Sequence, residues 1–213
     1  MQTTSKKVIQ IVEEIFNSIT HGLGAIAAIV GLVLGVIFLV TPINFKVGFI
    51  VYCASLIILM IMSTLYHALT FTKAKKVFRV LDHSSIFILI AGSFTPFIIY
   101  LYNDWVQILL LTIIWLIAAV GITVSTLFVI PKGMKRTGVI LYICFGWMGL
   151  LLIPKLYMLS ATVIWLLIAG GILYTLGVIP FILKKPFMHF NWHLFVVAAA
   201  STHFIAIISL RFL

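Results

Sequence analysis

Acidic residues are nearly missing from this chain: Asp and Glu together number 4 among 213 residues, against 14 Lys and Arg. Charged residues of both signs come to 8%, where a soluble domain carries about 25%. So few charges cannot cover a water-facing surface, which excludes an ordinary soluble domain and leaves lipid as the solvent. Cysteine is scarce too. Cys53 and Cys144 both lie in apolar runs without a C-x-x-C spacing, so they read as small buried hydrophobes. No secretion signal is legible: Glu13 and Glu14 stand where its apolar stretch would lie, and no A-x-A-like site follows. The expectation is a chain that inserts through its own helices and keeps its N-terminus. Internal repeats and low-complexity segments are absent as well.

Hydrophobic residues make up 64% of the chain, with a mean hydropathy of +1.30. A helical crossing uses about 20 apolar residues, because the hydrocarbon core is about 30 Å thick. Seven such runs are legible: Ile19 to Val40, closed by Pro42; Val47 to Leu69; Leu81 to Tyr100; Val106 to Ile130, stopped by Pro131; Gly138 to Ile153; Ala161 to Leu183; and Met188 to Leu210. The links between them are short and polar. The expected fold is all-α, a seven-transmembrane helix bundle forming a single integral membrane domain over residues 1–213. The domain includes a short cytoplasmic N-terminal segment, 1–18. Thr95–Pro96 is expected to kink the third span, and Gly31 and Gly35, a G-x-x-x-G pair, to mark close helix packing.

The net charge of +10 does not point to nucleic acid, because the positive residues lie between apolar runs and not along one face. Sorted by side, the N-terminus and the second, fourth and sixth links hold Lys6, Lys7, Lys73, Lys75, Lys76, Arg79, Lys132, Lys135, Arg136, Lys184 and Lys185. The opposite side holds Lys46, Lys155 and Arg211. This 11 to 3 division of the basic residues puts the N-terminus in the cytoplasm and the C-terminus outside, in a multi-pass protein of the cell membrane.

Polar side chains within a bilayer are costly and call for partners. Several gather at one depth: His67 with Ser63 one turn deeper on the same face, Asp82 and His83 opening the third span, and His189 and His193 opening the seventh. The H-x-x-x-H spacing of the last pair points both imidazoles the same way, about 6 Å apart. With His67 at matching depth, three histidines and an open position form the catalytic pattern for zinc. Asp82 then holds a water and takes its proton, and Ser63 donates to that water or to a substrate oxygen. A plainer reading stays open: interfacial histidines facing headgroups, with Asp82 capping the third helix or pairing with Arg79. His21, with Asn17 one turn earlier, reads as a packing or interfacial residue, or as a partner of the metal ligands. His83 points about 100° away from Asp82 on a helix, which favours a hydrogen bond between helices. His203 lies about 15 Å deeper than His193, too far to bind the same ion, and reads as a polar contact between helices. Asp104 reads as a solvated loop residue.

The segments N-S-I-T-H-G at 17–22, S-T-L-Y-H at 63–67, L-D-H-S-S-I-F at 81–87, A-G-S-F-T-P at 91–96 and H-F-N-W-H-L-F-V-V-A-A-A-S-T-H-F at 189–204 together resemble the hemolysin III family. That family is related to the progestin and adipoQ receptors. The resemblance covers nearly the whole chain. It implies a zinc ion held near the cytoplasmic face by His67, His189 and His193, with Asp82 on the zinc-bound water and Ser63 beside it. The wider superfamily looks like alkaline ceramidases, which hydrolyse lipid amides. Three functions follow as expectations: a zinc-dependent hydrolase of a lipid amide or ester at the cytoplasmic leaflet, a non-catalytic membrane regulator with structural zinc, or a pore-forming cytolysin. In the first two the partner is a membrane lipid, as substrate or ligand. For the third, no polar stripe is evident to line a wide pore.

The charge division generates a topology test. Reporter fusions at Phe71, Met134 and Lys184 are expected to read cytoplasmic, and fusions at Ile43, Asn103 and Leu213 external. A cytoplasmic reading at Leu213 would overturn the assignment.

Overall fold

A computed structural model of the chain describes residues 2–39, 41–129, 136–183 and 185–210. Seven helices are long and apolar enough to cross a membrane, and no strand occurs among the described residues. They are α1 (Gln2–Phe38), α2 (Ile43–Ala68), α3 (Lys75–Leu101), α4 (Trp105–Val124), α5 (Arg136–Gly146), α6 (Ala161–Ile182) and α7 (Met188–Ser209). A wide π-type turn, Ser125–Val129, prolongs α4, and a narrow 3₁₀ stretch, Trp147–Met158, prolongs α5. The protein is a multi-pass membrane protein, as the seven apolar runs imply.

The edges differ from the sequence reading in three instructive places. α1 begins at Gln2, not near Ile19, because the charged residues before Ile19 interrupt the hydropathy without interrupting the helix. α3 likewise starts at Lys75, with Ala74 as its N-cap. Asp82 therefore lies two turns inside the helix, which removes the capping role considered for it. The fifth span passes through Pro154, which had been read as the start of a loop. Proline removes only its own N–H, and the run ends at Leu159, before Ser160 caps α6 by accepting from the Val163 N–H at 3.3 Å. The expected stop at Pro131 falls outside the described residues. Asp104 does more than face solvent, since its carboxylate caps α4 by accepting from the Val106 N–H at 2.9 Å.

Packing is led by α2 against α3, α6 against α7, and α1 against α2. Large apolar side chains such as Ile26, Leu116, Trp165 and Ile179 stay exposed on the outer faces, as lipid-facing surfaces require. Between helices, single side-chain hydrogen bonds act as stitches. The Tyr52 hydroxyl donates to the Ala200 carbonyl at 2.8 Å, Tyr142 to the His83 carbonyl at 2.8 Å, and the Trp147 ring to Thr175 at 3.1 Å. Within lipid such bonds have no competing water. Gly31 faces the ring of Phe204 on α7 and Gly35 that of Phe49 on α2, so the G-x-x-x-G pair admits one ring from each neighbour. Cys53 is buried as expected, whereas Cys144 is exposed on α5.

Gly92 lets α3 pack tightly against Ser55 of α2. A Cβ there would stand 2.7 Å from the Ser55 Cβ, while one at Gly171 would meet nothing within 4 Å. Gly92→Val is expected to cost about 1–3 kcal/mol by overpacking and to lower the melting temperature in detergent. Gly171→Ala should be neutral or slightly stabilising, since alanine favours a helix over glycine by about 1 kcal/mol. Equal melting temperatures for the two variants would contradict this packing.

Candidate metal centre

The α2–α3 link and the α6–α7 link lie at one end of the bundle, and polar side chains concentrate beside them. His67 occupies the last turn of α2. His189 and His193 occupy the first turns of α7, one turn apart. Phe187, just before α7, has φ of 61°. A bulky residue in the left-handed region is strained by about 1–2 kcal/mol, and the ring of Phe16 braces this turn, edge-on to Phe187 at 6.3 Å and tilted to Phe190 at 5.4 Å.

The three imidazoles form a nearly equilateral triangle. Ring centroids are 5.1 Å apart for His67 and His189, 4.8 Å for His67 and His193, and 4.8 Å for His189 and His193. One nitrogen from each lies within 4.8 Å of the others. Among the described residues this is the one group of three or more His, Cys, Asp or Glu so arranged. A buried group of this kind is able to bind a metal ion.

Hydrogen bonding fixes two of the ring tautomers. His67 Nδ1 lies 2.5 Å from Glu14 Oε2. A carboxylate only accepts, so Nδ1 carries the hydrogen and Nε2 holds the lone pair. That Nε2 is buried and without a hydrogen-bond partner. His193 Nδ1 donates to the backbone carbonyl of Asn17 at 3.2 Å, which leaves its Nε2 as the acceptor. A buried acceptor left unpaired is costly, and a cation among these rings would relieve it. The donor set therefore fits a metal ion.

Around the triangle, α1 supplies more than the sequence reading allowed. Of the readings open for His21 the interfacial one falls: its ring stacks on His193 at 3.7 Å with an interplanar angle of 11°, as a partner of a candidate ligand would, and both its nitrogens are buried without hydrogen-bond partners. The Asn17 amide nitrogen lies 3.4 Å from His67 Nδ1. Glu14 was missed altogether as a site residue. Its Oε1 accepts from the Thr70 hydroxyl at 3.0 Å and lies 3.8 Å from Lys75 Nζ, while Lys75 also bonds Thr70. The signal that could have found it is the spacing Glu14, Asn17, His21, which repeats along one face of a helix.

A cavity of about 290 Å³ opens beside the triangle. His21, Ser63, Asp82, His83, His189 and His193 line its polar end, and apolar side chains of α3, α5, α6 and α7 line the remainder. Ser63 and Asp82 thus face the same space as two of the histidines. Asp82 is buried, and its Oδ2 lies 3.4 Å from His83 Nδ1. The expected helix-to-helix bond of His83 is made by its backbone carbonyl, and the ring turns instead toward Asp82 and the edge of Tyr66. His203 lies deeper along the cavity, edge-on to Tyr174 of α6 at 5.6 Å, a ring contact between helices and not the expected polar one, since both its ring nitrogens are buried without hydrogen-bond partners.

Comparison with known proteins places this arrangement. The family model described as Haemolysin-III related matches residues 9–204. The chain is 39% identical over 200 residues to Hemolysin-3 of Bacillus cereus, covering 92% of this chain and 90% of that protein. It is 37% identical over 203 residues to the Hemolysin-3 homolog of Bacillus subtilis (strain 168), covering 92% and 93%. A more distant similarity, 29% over 164 residues, covers 74% of this chain and 67% of the human monocyte to macrophage differentiation factor. With a family model spanning nearly its full length and relatives above a third identical, the chain belongs to the haemolysin-III related family of membrane proteins.

Proposed function

We propose that the protein is a zinc-dependent hydrolase that cleaves an amide or ester of a membrane lipid from the cytoplasmic leaflet. The observation that carries this reading is the meeting of three imidazoles, two buried and one half-buried, with Ser63 and Asp82 at the polar end of an apolar cavity. Three nitrogen ligands and an open position suit zinc among the divalent ions. His67, His189 and His193 would hold it. Bound there, zinc supplies a Lewis acid and an acidified water at neutral pH.

The chain's own groups do the rest. The apolar walls take up a hydrocarbon chain and keep bulk water out. Asp82, desolvated and beside His83, accepts a proton from the attacking water and returns it to the departing amine or alkoxide. The Ser63 hydroxyl donates to the substrate's carbonyl oxygen, where negative charge grows as the carbonyl is attacked. The basic residues of the α2–α3 link sit at the same end and attract anionic headgroups of the cytoplasmic surface. The relatives' name, Hemolysin-3, carries a pore-forming reading. The apolar outer faces of the seven helices give it no channel lining in a single chain.

Elemental analysis of purified protein is expected to find one zinc per chain. Replacing His67, His189 or His193 with Ala should strip most of it and lower thermal stability, because α2 and α7 would lose a common tie. Stoichiometric zinc in the His189→Ala, His193→Ala double variant would sink the assignment.

Lipid analysis of membranes with and without the protein should reveal a product, and that product defines the assay. Asp82→Asn keeps the size of the side chain but removes its charge. Activity should fall about 10²–10⁴-fold, the usual worth of a positioned acid–base group, with zinc content unchanged. Ser63→Ala should cost less. Full activity in Asp82→Asn with normal zinc would remove Asp82 from the chemistry, and the absence of any lipid product would leave a metal that only braces the bundle, as in a non-catalytic regulator.

A further inference from the structure

The acidic residues of this chain number 4: Glu13, Glu14, Asp82 and Asp104. Asp104 caps α4. Two of the remaining three are at the histidine cluster, Glu14 in direct contact with His67 and Asp82 on the adjoining cavity wall. In a chain so poor in acids this is an unusual concentration. A carboxylate at such depth is costly unless a cation answers it. Three neutral imidazoles bring no charge, so a divalent ion among them would stand with its charge uncompensated. Glu14 and Asp82 together supply two negative charges. Lys75, one-third exposed, has part of its charge met by solvent.

α1 contributes none of the three ligands, yet it touches two. Glu14 Oε2 accepts from His67 Nδ1 at 2.5 Å, and three residues on, the Asn17 carbonyl accepts from His193 Nδ1 at 3.2 Å. Metal-binding histidines characteristically donate their second N–H to a carboxylate or a backbone carbonyl, which sets the tautomer and raises the basicity of the ligating nitrogen. Both kinds of partner are present here, on one face of one helix. Glu14 is itself held by the Thr70 hydroxyl at 3.0 Å and by Lys75. Thr70 comes from the link just beyond α2 and Lys75 from the first turn of α3, so three elements converge on one carboxylate.

We infer that Glu14 is a positioning residue of the metal centre: its carboxylate holds His67 with Nε2 free for the ion and supplies half of the negative charge that offsets a divalent cation. This rests on the metal reading above and adds a part of the site that α1 alone provides. Asn17 complements it through its backbone, so its side chain is expected to matter less to the orientation of His193.

The test uses the full chain in detergent, with zinc affinity measured by competition against a chromogenic chelator. Cobalt absorption serves as a second readout of the ligand set. Glu14→Gln keeps the shape and can still accept from Nδ1 but carries no charge. Its zinc affinity should fall about 10-fold, and that of Glu14→Ala about 100-fold, the range found for outer partners of metal-bound histidine. The cobalt bands of Glu14→Gln should keep the wild-type pattern, since the three ligands remain. Thr70→Val, which removes only an anchor of the carboxylate, should weaken zinc less than Glu14→Gln but measurably. It carries the test should the Glu14 variants fail to purify as monodisperse protein.

A merely structural Glu14 would lower the stability of the metal-free protein and leave affinity unchanged. Wild-type affinity in Glu14→Gln, or in Thr70→Val if that variant alone is tractable, overturns the inference. A wild-type chain that binds neither zinc nor cobalt would instead overturn the metal reading itself.

Discussion

Everything in this molecule answers to one constraint: within the hydrocarbon layer there is no water to satisfy a polar group, so each must find a partner inside the protein. Helices meet this demand for the backbone. Side chains meet it by returning to carbonyls of their own helix, as Thr95 does to Ala91 at 2.9 Å and Ser93 to Leu89 at 2.8 Å, or by crossing to a neighbour, as Tyr52 does to α7. Against that background the unmet groups stand out. Ring nitrogens of His21 and His67 are buried without partners, and they gather where His189 and His193 also point. Other buried groups, such as the Ser125 and Tyr174 hydroxyls and the His203 ring, also lack partners, but among the described residues only this corner brings three histidines together.

Much of this was legible before any coordinates. Seven apolar runs separated by short polar links dictate seven helices, and the i,i+4 spacing of His189 and His193 sets them on one face. The approach of His67 rested on the family resemblance and on depth, which is a coarse measure, but a helix through a slab of fixed thickness turns sequence distance into depth at about 1.5 Å per residue. Two rings from α7, His193 buried and His189 half-buried, and one from α2 then have little choice but to meet. Side-chain direction was less legible. Adjacent residues on α3 diverge by about 100° at the backbone, yet the His83 ring swings back to within 3.4 Å of Asp82. Rotamer freedom defeats helical-wheel reasoning at the scale of one long side chain.

Glu14 was hidden for a related reason. In a hydropathy reading a carboxylate marks where a span has ended, and Glu13 and Glu14 together pushed the expected start of the first helix to Ile19. The helix runs straight through them. Whether a charged residue lies outside the bundle or is turned inward against a partner depends on contacts between residues 50 or more apart, here Glu14 with His67 and Thr70. No local pattern encodes that. The Pro154 boundary failed in the same direction, since a residue read as a breaker sits inside continuous 3₁₀ backbone.

That 3₁₀ stretch has a mechanical consequence. Its 12 residues rise about 2.0 Å each, against about 1.5 Å in an α-helix, and its hydrogen bonds are less well aligned. It forms one wall of the cavity, through Trp147, Leu150, Ile153 and Leu156, while α3, α6 and α7 form the others as regular helices. Of the enclosing walls it is the slender one, the first to stretch or rewind under load. Pressure from a chain too long for the cavity would be absorbed there, some distance from the imidazoles. Under the proposed lipid function, a cavity wall built this way would give more readily beside the hydrocarbon than beside the histidines, so a polar headgroup would be discriminated more sharply than the length of the tail behind it.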